Sequence, residues 1–241
     1  MALSLTFDDG RDSQVLNGLA LLDSFGVKVT FYRLPEAVGE QLEGWEQAVA
    51  SGHEIGNHTV GHPCTGNFSW TRYDGVVLED YDLERMRAEL IDANDQLEAA
   101  LGVRPTSFAY PCGQTFVGRG ANTKSYVPLV AELFHTGRRW LDETTNAPMH
   151  FDPAQVMSMR IDGEEFTSIQ RRIERTKRRG NWLVLAGHEI RDNTGRRGGT
   201  RMQMLRELLT YAADPVSGVW IAPVTRVATF IQKHRSRVET Q

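Results

Sequence analysis

The sequence predicts a single α/β domain built on parallel strands, and three observations point there. Strand-like and helix-like segments alternate along the chain with no internal repeat and no low-complexity linker, the pattern of a parallel sheet or barrel. At 241 residues with 40% hydrophobic content the chain can bury one full core, so residues 1–241 are read as one domain. The clusters able to carry chemistry each follow an apolar run, at the strand ends where barrels of this kind gather function.

Taken in order, Ala2 to Phe7 is a short, mostly apolar strand bounded by Asp8-Asp9-Gly10. Asp12 to Phe25 places Val15, Leu16, Leu19 and Leu22 at helical spacing, ahead of the β-branched run Val27-Lys28-Val29-Thr30-Phe31. Helices are expected over Gln41 to Ala50 and Leu83 to Leu101, the second stopped by Gly102. Tyr126 to His135, Glu164 to Arg179, Met202 to Ala213 and Thr225 to His234 continue the alternation. Trp182-Leu183-Val184-Leu185-Ala186 is a continuous apolar run of the kind found in strands buried on both faces, and it ends at Gly187-His188. Two long loops remain. Pro63 to Leu78 carries Phe68, Trp70 and Tyr73, while Gln114 to Ser125 is rich in glycine and polar residues. Flat aromatics suit sugar faces, although Trp70 serves equally well as a plug over the barrel; Trp140 and Trp220 are read as core.

Thr6-Phe7-Asp8-Asp9-Gly10 and His58-Thr59-Val60-Gly61-His62 hold the chemistry. Successive strand residues point to opposite faces, so neighbouring aspartates share a site only where a strand ends, and Gly10 lets the chain turn there. Two close carboxylates repel unless a cation neutralises them. His58 and His62 stand i, i+4, the spacing of one helical turn that brings two imidazoles to one ion. With a carboxylate they complete a three-ligand site that leaves a position open for water or substrate. Nitrogen and oxygen donors make zinc the default, with cobalt, nickel and iron also suited to imidazole.

By these motifs the chain resembles the polysaccharide deacetylases of carbohydrate esterase family four, the NodB homology domain, over Leu3 to about His234. The resemblance implies a distorted (β/α)7-type barrel, with Asp8 as general base and Asp9, His58 and His62 as ligands of a divalent metal. Ser107-Phe108-Ala109-Tyr110-Pro111-Cys112-Gly113 resembles the third motif in part: Ala109 stands where many members have an arginine that orients the base, and Cys112 where an aromatic is usual. By the same resemblance, the Cys112 backbone N–H supports the oxyanion, with Tyr110 and Pro111 beside it at the substrate. The missing arginine is sought at Arg160, in Met157-Ser158-Met159-Arg160-Ile161-Asp162, with an ordinary surface arginine as the competing reading. Asp162 is a candidate to tune His188, which the resemblance assigns as the general acid that protonates the leaving group.

The implied activity is metal-dependent removal of acetyl groups from an acetylated carbohydrate, of the N-acetylglucosamine or acetylxylan type. A small-molecule amidohydrolase acting on a cyclic imide or ring amide is the alternative. A non-catalytic carbohydrate-binding module is the third reading, and the presence of a base, an acid and a metal set argues against it.

Net charge of −4 gives no general pull toward nucleic acid. The basic run Arg171 to Arg179 is read as the solvated face of a helix. No stretch approaches the ~20 apolar residues of a membrane span. With the motif strand starting almost at Met1, a complete chain is expected in the cytoplasm, and a trimmed leader would make it secreted. Two cysteines, Cys64 and Cys112, make no disulfide framework and are expected to stay free thiols in a reducing compartment. The sequence sets no oligomeric state.

Overall fold

The computed structural model describes residues 1–192 and 198–238. Strands β1 (Ala2–Phe7), β2 (Thr30–Arg33), β3 (Glu54–Asn57) and β4 (Ser107–Ala109) are followed by a short antiparallel pair, β5 (Phe116–Val117) and β6 (Lys124–Ser125). Then come β7 (Thr136–Arg138), β8 (Met159–Arg160) and β9 (Leu183–Gly187), a two-strand parallel pair β10 (Ile190–Arg191) and β11 (Thr200–Arg201), and β12 (Trp220–Ile221). The main sheet is parallel in the order β7-β4-β3-β2-β1-β9-β8, with β12 pairing the first residues of β1. It curls into a half-barrel, and a bridge between Arg138 and Val156 carries the β7 edge toward the segment that enters β8. The expected barrel-like α/β domain is therefore the one observed.

Helices cover the outside: α1 (Leu19–Ser24, entered through a π-helical turn at Gln14–Gly18), α2 (Leu42–Ala50), α3 (Ser69–Asp74), α4 (Leu83–Leu101), α5 (Val127–Leu133), α6 (Phe166–Arg179), α7 (Met202–Ala213) and α8 (Val224–Val238). Local chemistry sets their ends. Asp82 caps α4 by accepting from the Arg85 N–H at 2.8 Å, and Gly102 stops it at φ 69°. In α6 the buried residues are Ile169, Ile173 and Thr176, which leaves Arg171, Arg175, Arg178 and Arg179 exposed as the solvated face. No helix among the described residues is long and apolar enough to cross a membrane.

Alternation along β1 decides what faces what. Leu3, Leu5 and Phe7 are fully buried and pack outward with Leu22, Trp45, Ile173 and Leu208 from the helical layer. Ser4 and Thr6 face the other way, into the barrel, where Ser4 Oγ donates to Ala222 O at 2.7 Å and Thr6 Oγ1 to Leu185 O at 3.1 Å. Continuing that inner row by two residues puts Asp8 at its mouth, and the Asp8 N–H still bonds Gly187 O at 2.8 Å, which extends the β1·β9 ladder. The same period on β7 turns Thr136 and Arg138 inward and leaves Gly137 against α5.

Gly137 is required by that contact. A Cβ there would stand 2.6 Å from the Ala154 carbonyl oxygen and 2.6 Å from Val130 Cγ1, and the backbone atom cannot step aside. Gly137→Ala is expected to destabilise the fold by about 1–3 kcal/mol through overpacking. The check is the denaturant midpoint, and an unchanged midpoint would refute the packing assigned to this strand.

Candidate active site

The ends of β1, β3, β4, β7 and β9 converge on one mouth of the barrel. Asp8, only 3% exposed, sits there against Arg138, which is fully buried; Arg138 Nη2 donates to Asp8 Oδ1 and Oδ2, both at 2.5 Å. The guanidinium is held from behind by donation to Arg139 O at 3.0 Å and lies 5.0 Å from the Tyr32 ring. Gln14 ties the two strand ends together, with Nε2 donating to Asp8 O at 2.6 Å and His188 O at 2.8 Å.

Asp9 follows in the left-handed region, φ 68°, which swings its carboxylate away from Asp8 and toward two imidazoles. Its Oδ1 lies 3.4 Å from His58 Nε2 and 3.6 Å from His62 Nε2, while Arg11 donates to Oδ2 at 2.9 Å. Gly10 completes the turn at φ 63°; a Cβ there would stand 2.9 Å from Cζ of the buried Arg33. The three ligand-type atoms lie within 4.8 Å of one another, so Asp9, His58 and His62 could hold a metal ion. His58 Nδ1 faces Ala109 O at 2.9 Å, the carbonyl partner that fixes a ligand imidazole and frees Nε2.

The histidine pair reaches this geometry by a route the spacing did not predict. Residues 58–62 form a loop after β3, not a helical turn. Thr59 at φ 66° and His62 at φ 51° curl the chain instead, braced by Thr59 Oγ1, which donates to His58 O and accepts from the His62 N–H at 2.9 Å. The rings meet edge to face with centroids 4.7 Å apart.

Burial and neighbouring charge keep His62 and Asp9 in ligand form at neutral pH. Burial pushes the His62 imidazole down to about 4, with the neighbouring His58 adding to the effect against the pull of Asp9 and Asp8. For Asp9, burial raises the carboxyl, but the hydrogen bond from His58 and the nearby His58, His62 and His188 outweigh it and hold the group well below the carboxylate range.

On the far side of the mouth, His188 Nδ1 contacts Asp162 Oδ2 at 2.7 Å, and Asp162 Oδ1 accepts from Thr200 Oγ1 at 2.8 Å. Burial lowers the His188 pKa, yet Asp162 together with Asp8 and Asp9 brings it above the ordinary histidine value. Trp140 packs edge-on against His188 at 4.9 Å.

A family model described as polysaccharide deacetylase matches residues 1–126, the segment that carries both aspartates and both histidines. The chain belongs to the polysaccharide deacetylase family. A putative polysaccharide deacetylase from Mycobacterium smegmatis superposes with a TM-score of 0.69 at 18% identity, covering 97% of this chain and 91% of that one. A family 4 acetyl xylan esterase from Clostridium thermocellum, solved with a cobalt ion, gives 0.57 at 19% identity, with 95% and 91% covered. At these identities the likeness carries the fold. A peptidoglycan-N-acetylglucosamine deacetylase from Bacillus cereus is 33% identical over 81 residues, 32% of this chain and 37% of that protein. The chain spans between 4% and 37% of the length of the curated relatives it matches.

Several expectations change within this family frame. The arginine that pairs with Asp8 is Arg138, which sequence reasoning missed; the Arg160 side chain is exposed on β8, and its carbonyl accepts from Arg172 at 2.7 Å. Inward alternation on β7 was the available signal, though a strand of three residues hid it. Tyr110 is core, not substrate wall: it is 1% exposed among Phe108 and Tyr126, and its hydroxyl donates to Ala154 O at 2.8 Å. Pro111 is likewise buried, and Cys112 follows in a left-handed turn at φ 54°. Trp140, expected in the core, is half-buried at the rim beside His188, and Trp70 is 37% exposed, 5.6 Å from the His62 ring. Trp220 is half-buried against Phe230.

The two cysteines are not free. Cys64 and Cys112 form a disulfide across 48 residues, because the loop after His62 and the turn after β4 pack side by side at the mouth. In the chain-entropy account, closing a loop of this length stabilises the fold by about 4 kcal/mol.

Two outcomes test this geometry. Arg138→Met strands the Asp8 carboxylate without its buried partner and is expected to cost about 3–5 kcal/mol in chemical unfolding; a loss below ~1 kcal/mol would mean the pair is not formed. Because the folded His188 pKa is raised, its pairing with Asp162 adds stability in full below the unfolded value of about 6.5 and loses it as pH rises through the folded value. Asp162→Asn should move the His188 ring titration, followed by NMR, to lower pH, and an unmoved titration would dismiss Asp162 as the cause.

Proposed function

We propose that this chain is a divalent-metal-dependent hydrolase that removes acetyl groups from an acetylated carbohydrate of the N-acetylglucosamine or acetylxylan type. One observation carries the reading: the carboxylate of Asp9 and the Nε2 atoms of His58 and His62 converge between an arginine-held Asp8 and an aspartate-backed His188. Asp9, His58 and His62 would hold the cation, which would supply Lewis-acid polarisation of the acetyl carbonyl when bound. Zinc fits the donor set first, with cobalt or nickel as substitutes.

The chain's own residues then divide the work. Asp8 is kept off the metal set by the φ 68° turn at Asp9 and is presented by Arg138, which suits it to accept the proton of an attacking water. The Cys112 N–H is a backbone donor for the oxyanion, a role independent of the side chain. His188, oriented through Nδ1 by Asp162, delivers a proton from Nε2 to the departing amine or alcohol. Trp70 and Trp140 offer flat faces on either side of the mouth for sugar rings. The Cys64–Cys112 crosslink supports an oxidising compartment, and so the secreted alternative over the cytoplasmic one.

The test is acetate release by metal-reconstituted protein from N-acetylated chitooligosaccharides and acetylated xylan. Asp8→Asn should lose about 10²–10⁴ in kcat while keeping its metal, and His58→Ala should lose both metal and turnover. An active Asp8→Asn variant would remove Asp8 from the role of base.

A further inference from the structure

We infer that the Cys64–Cys112 disulfide is a reversible modification site that switches the hydrolase on when oxidised. Its position carries the argument. Cys64 lies two residues beyond His62, and its sulfur is 3.7 Å from His62 Nδ1. Cys112 sits at φ 54°, and its N–H is the one the deacetylase reading gives to the oxyanion. The bond therefore ties the loop of the proposed metal ligands to the turn of the proposed oxyanion donor, beyond the β3·β4 pairing at Asn57 and Phe108 and alongside the 2.7 Å hydrogen bond from the Thr65 N–H to Gln114 Oε1. His62 itself holds a left-handed backbone at φ 51°, a conformation that persists only when its surroundings over-determine it. On the other flank, Gly113 packs against the Trp140 backbone, so the turn is confined by the rim aromatic on one side and by the sulfur link on the other.

The chemistry is thiol–disulfide exchange with a dithiol. A thiolate attacks Cys112 Sγ, on the half-buried member of the pair, and Cys64 leaves as thiolate and takes a proton. The second thiol of the reagent then displaces Cys112, so the reagent gains a disulfide while the protein gains two thiols. Oxidation reverses the exchange. In the dithiol state the oxyanion turn and the His62 loop lose their covalent link and keep the hydrogen bond from the Thr65 N–H to Gln114 Oε1, and turnover falls without loss of the fold. The pair acts through its neighbours, as positioning residues.

This inference rests on the deacetylase reading for its kinetic arm alone. The experiment takes metal-loaded protein, reduces it with dithiothreitol, desalts it, counts thiols and measures metal content, kcat and KM on acetylated chitooligosaccharide. The expected result is a roughly ten- to hundredfold fall in kcat with KM and metal content nearly unchanged, up to the lower end of the ~10²–10³ loss for outright removal of an oxyanion donor. Reoxidation should restore the rate, and the Cys64→Ser/Cys112→Ser double variant should be slow and insensitive to reductant. Full kcat in protein shown to carry two thiols would overturn the switch, as would unfolding on reduction, seen by circular dichroism. If no acetylated glycan is turned over in either state, the deacetylase reading fails and the cobalt-substituted protein decides the switch. A visible spectrum that changes reversibly with redox state supports it, and identical spectra overturn it.

Discussion

The ion pair between Asp8 and Arg138 constrains the whole mouth of the barrel. Both side chains are removed from water, and a carboxylate or guanidinium taken from water carries a penalty of several kcal/mol unless its partner comes with it. That requirement fixes β7 opposite β1 across the barrel, although the two strands are separated in the sheet by β4, β3 and β2. It also explains the crowding behind β7: Gly137 lets the strand lie against the Ala154 carbonyl, and the bridge from Arg138 to Val156 holds the inward side chain in line.

Around this pair the charges are arranged so that adjacent acids have different surroundings. Asp8 meets a guanidinium, whereas Asp9 meets two imidazoles and the exposed Arg11. Neither acid faces the other unscreened, which resolves the repulsion that two successive aspartates would otherwise suffer. His58 and His188 make parallel use of their Nδ1 atoms, one on a carbonyl and one on a carboxylate. The carbonyl fixes the orientation of the His58 ring, while the Asp162 carboxylate favours the protonated form of His188.

How far the sequence disclosed this can be argued residue by residue. Strand alternation and the apolar run Trp182 to Ala186 were readable because their periods are local, and so were α4, with Gly102 to stop it, and α6, with its solvated basic face. Asp8, Asp9, His58, His62, His188 and Asp162 were found because motif residues lie next to strand ends, and the structure brings all six to one mouth. Arg138 and Gln14 escaped because their partners are 130 and 6 residues away and depend on how the sheet curls and on the turn after Asp8. The disulfide escaped for the same reason: two cysteines say nothing about pairing until the loops that bear them are placed. The helical reading of His58 to His62 failed because i, i+4 spacing can also be met by a loop with two left-handed residues.

Strain and stability are unevenly shared between the site and the rest of the barrel. Among the described residues, the non-glycine positions with positive φ are Asp9, Thr59, His62, Cys112 and Leu141, and the first four belong to the loops that build the site. Each such position costs on the order of 1–3 kcal/mol, so the site is assembled against local backbone preference. The opposing stability comes from the buried rows of β1 and β9 below it, where Leu3, Leu5, Leu183 and Leu185 are excluded from water. Hydrogen bonds from the Thr59 N–H to Asn57 Oδ1 and from Thr59 Oγ1 to His58 O hold the His58 loop, and the sulfur link holds the Cys112 turn. A rigid sheet and a few polar braces thus hold a loop arrangement whose backbone would relax if freed.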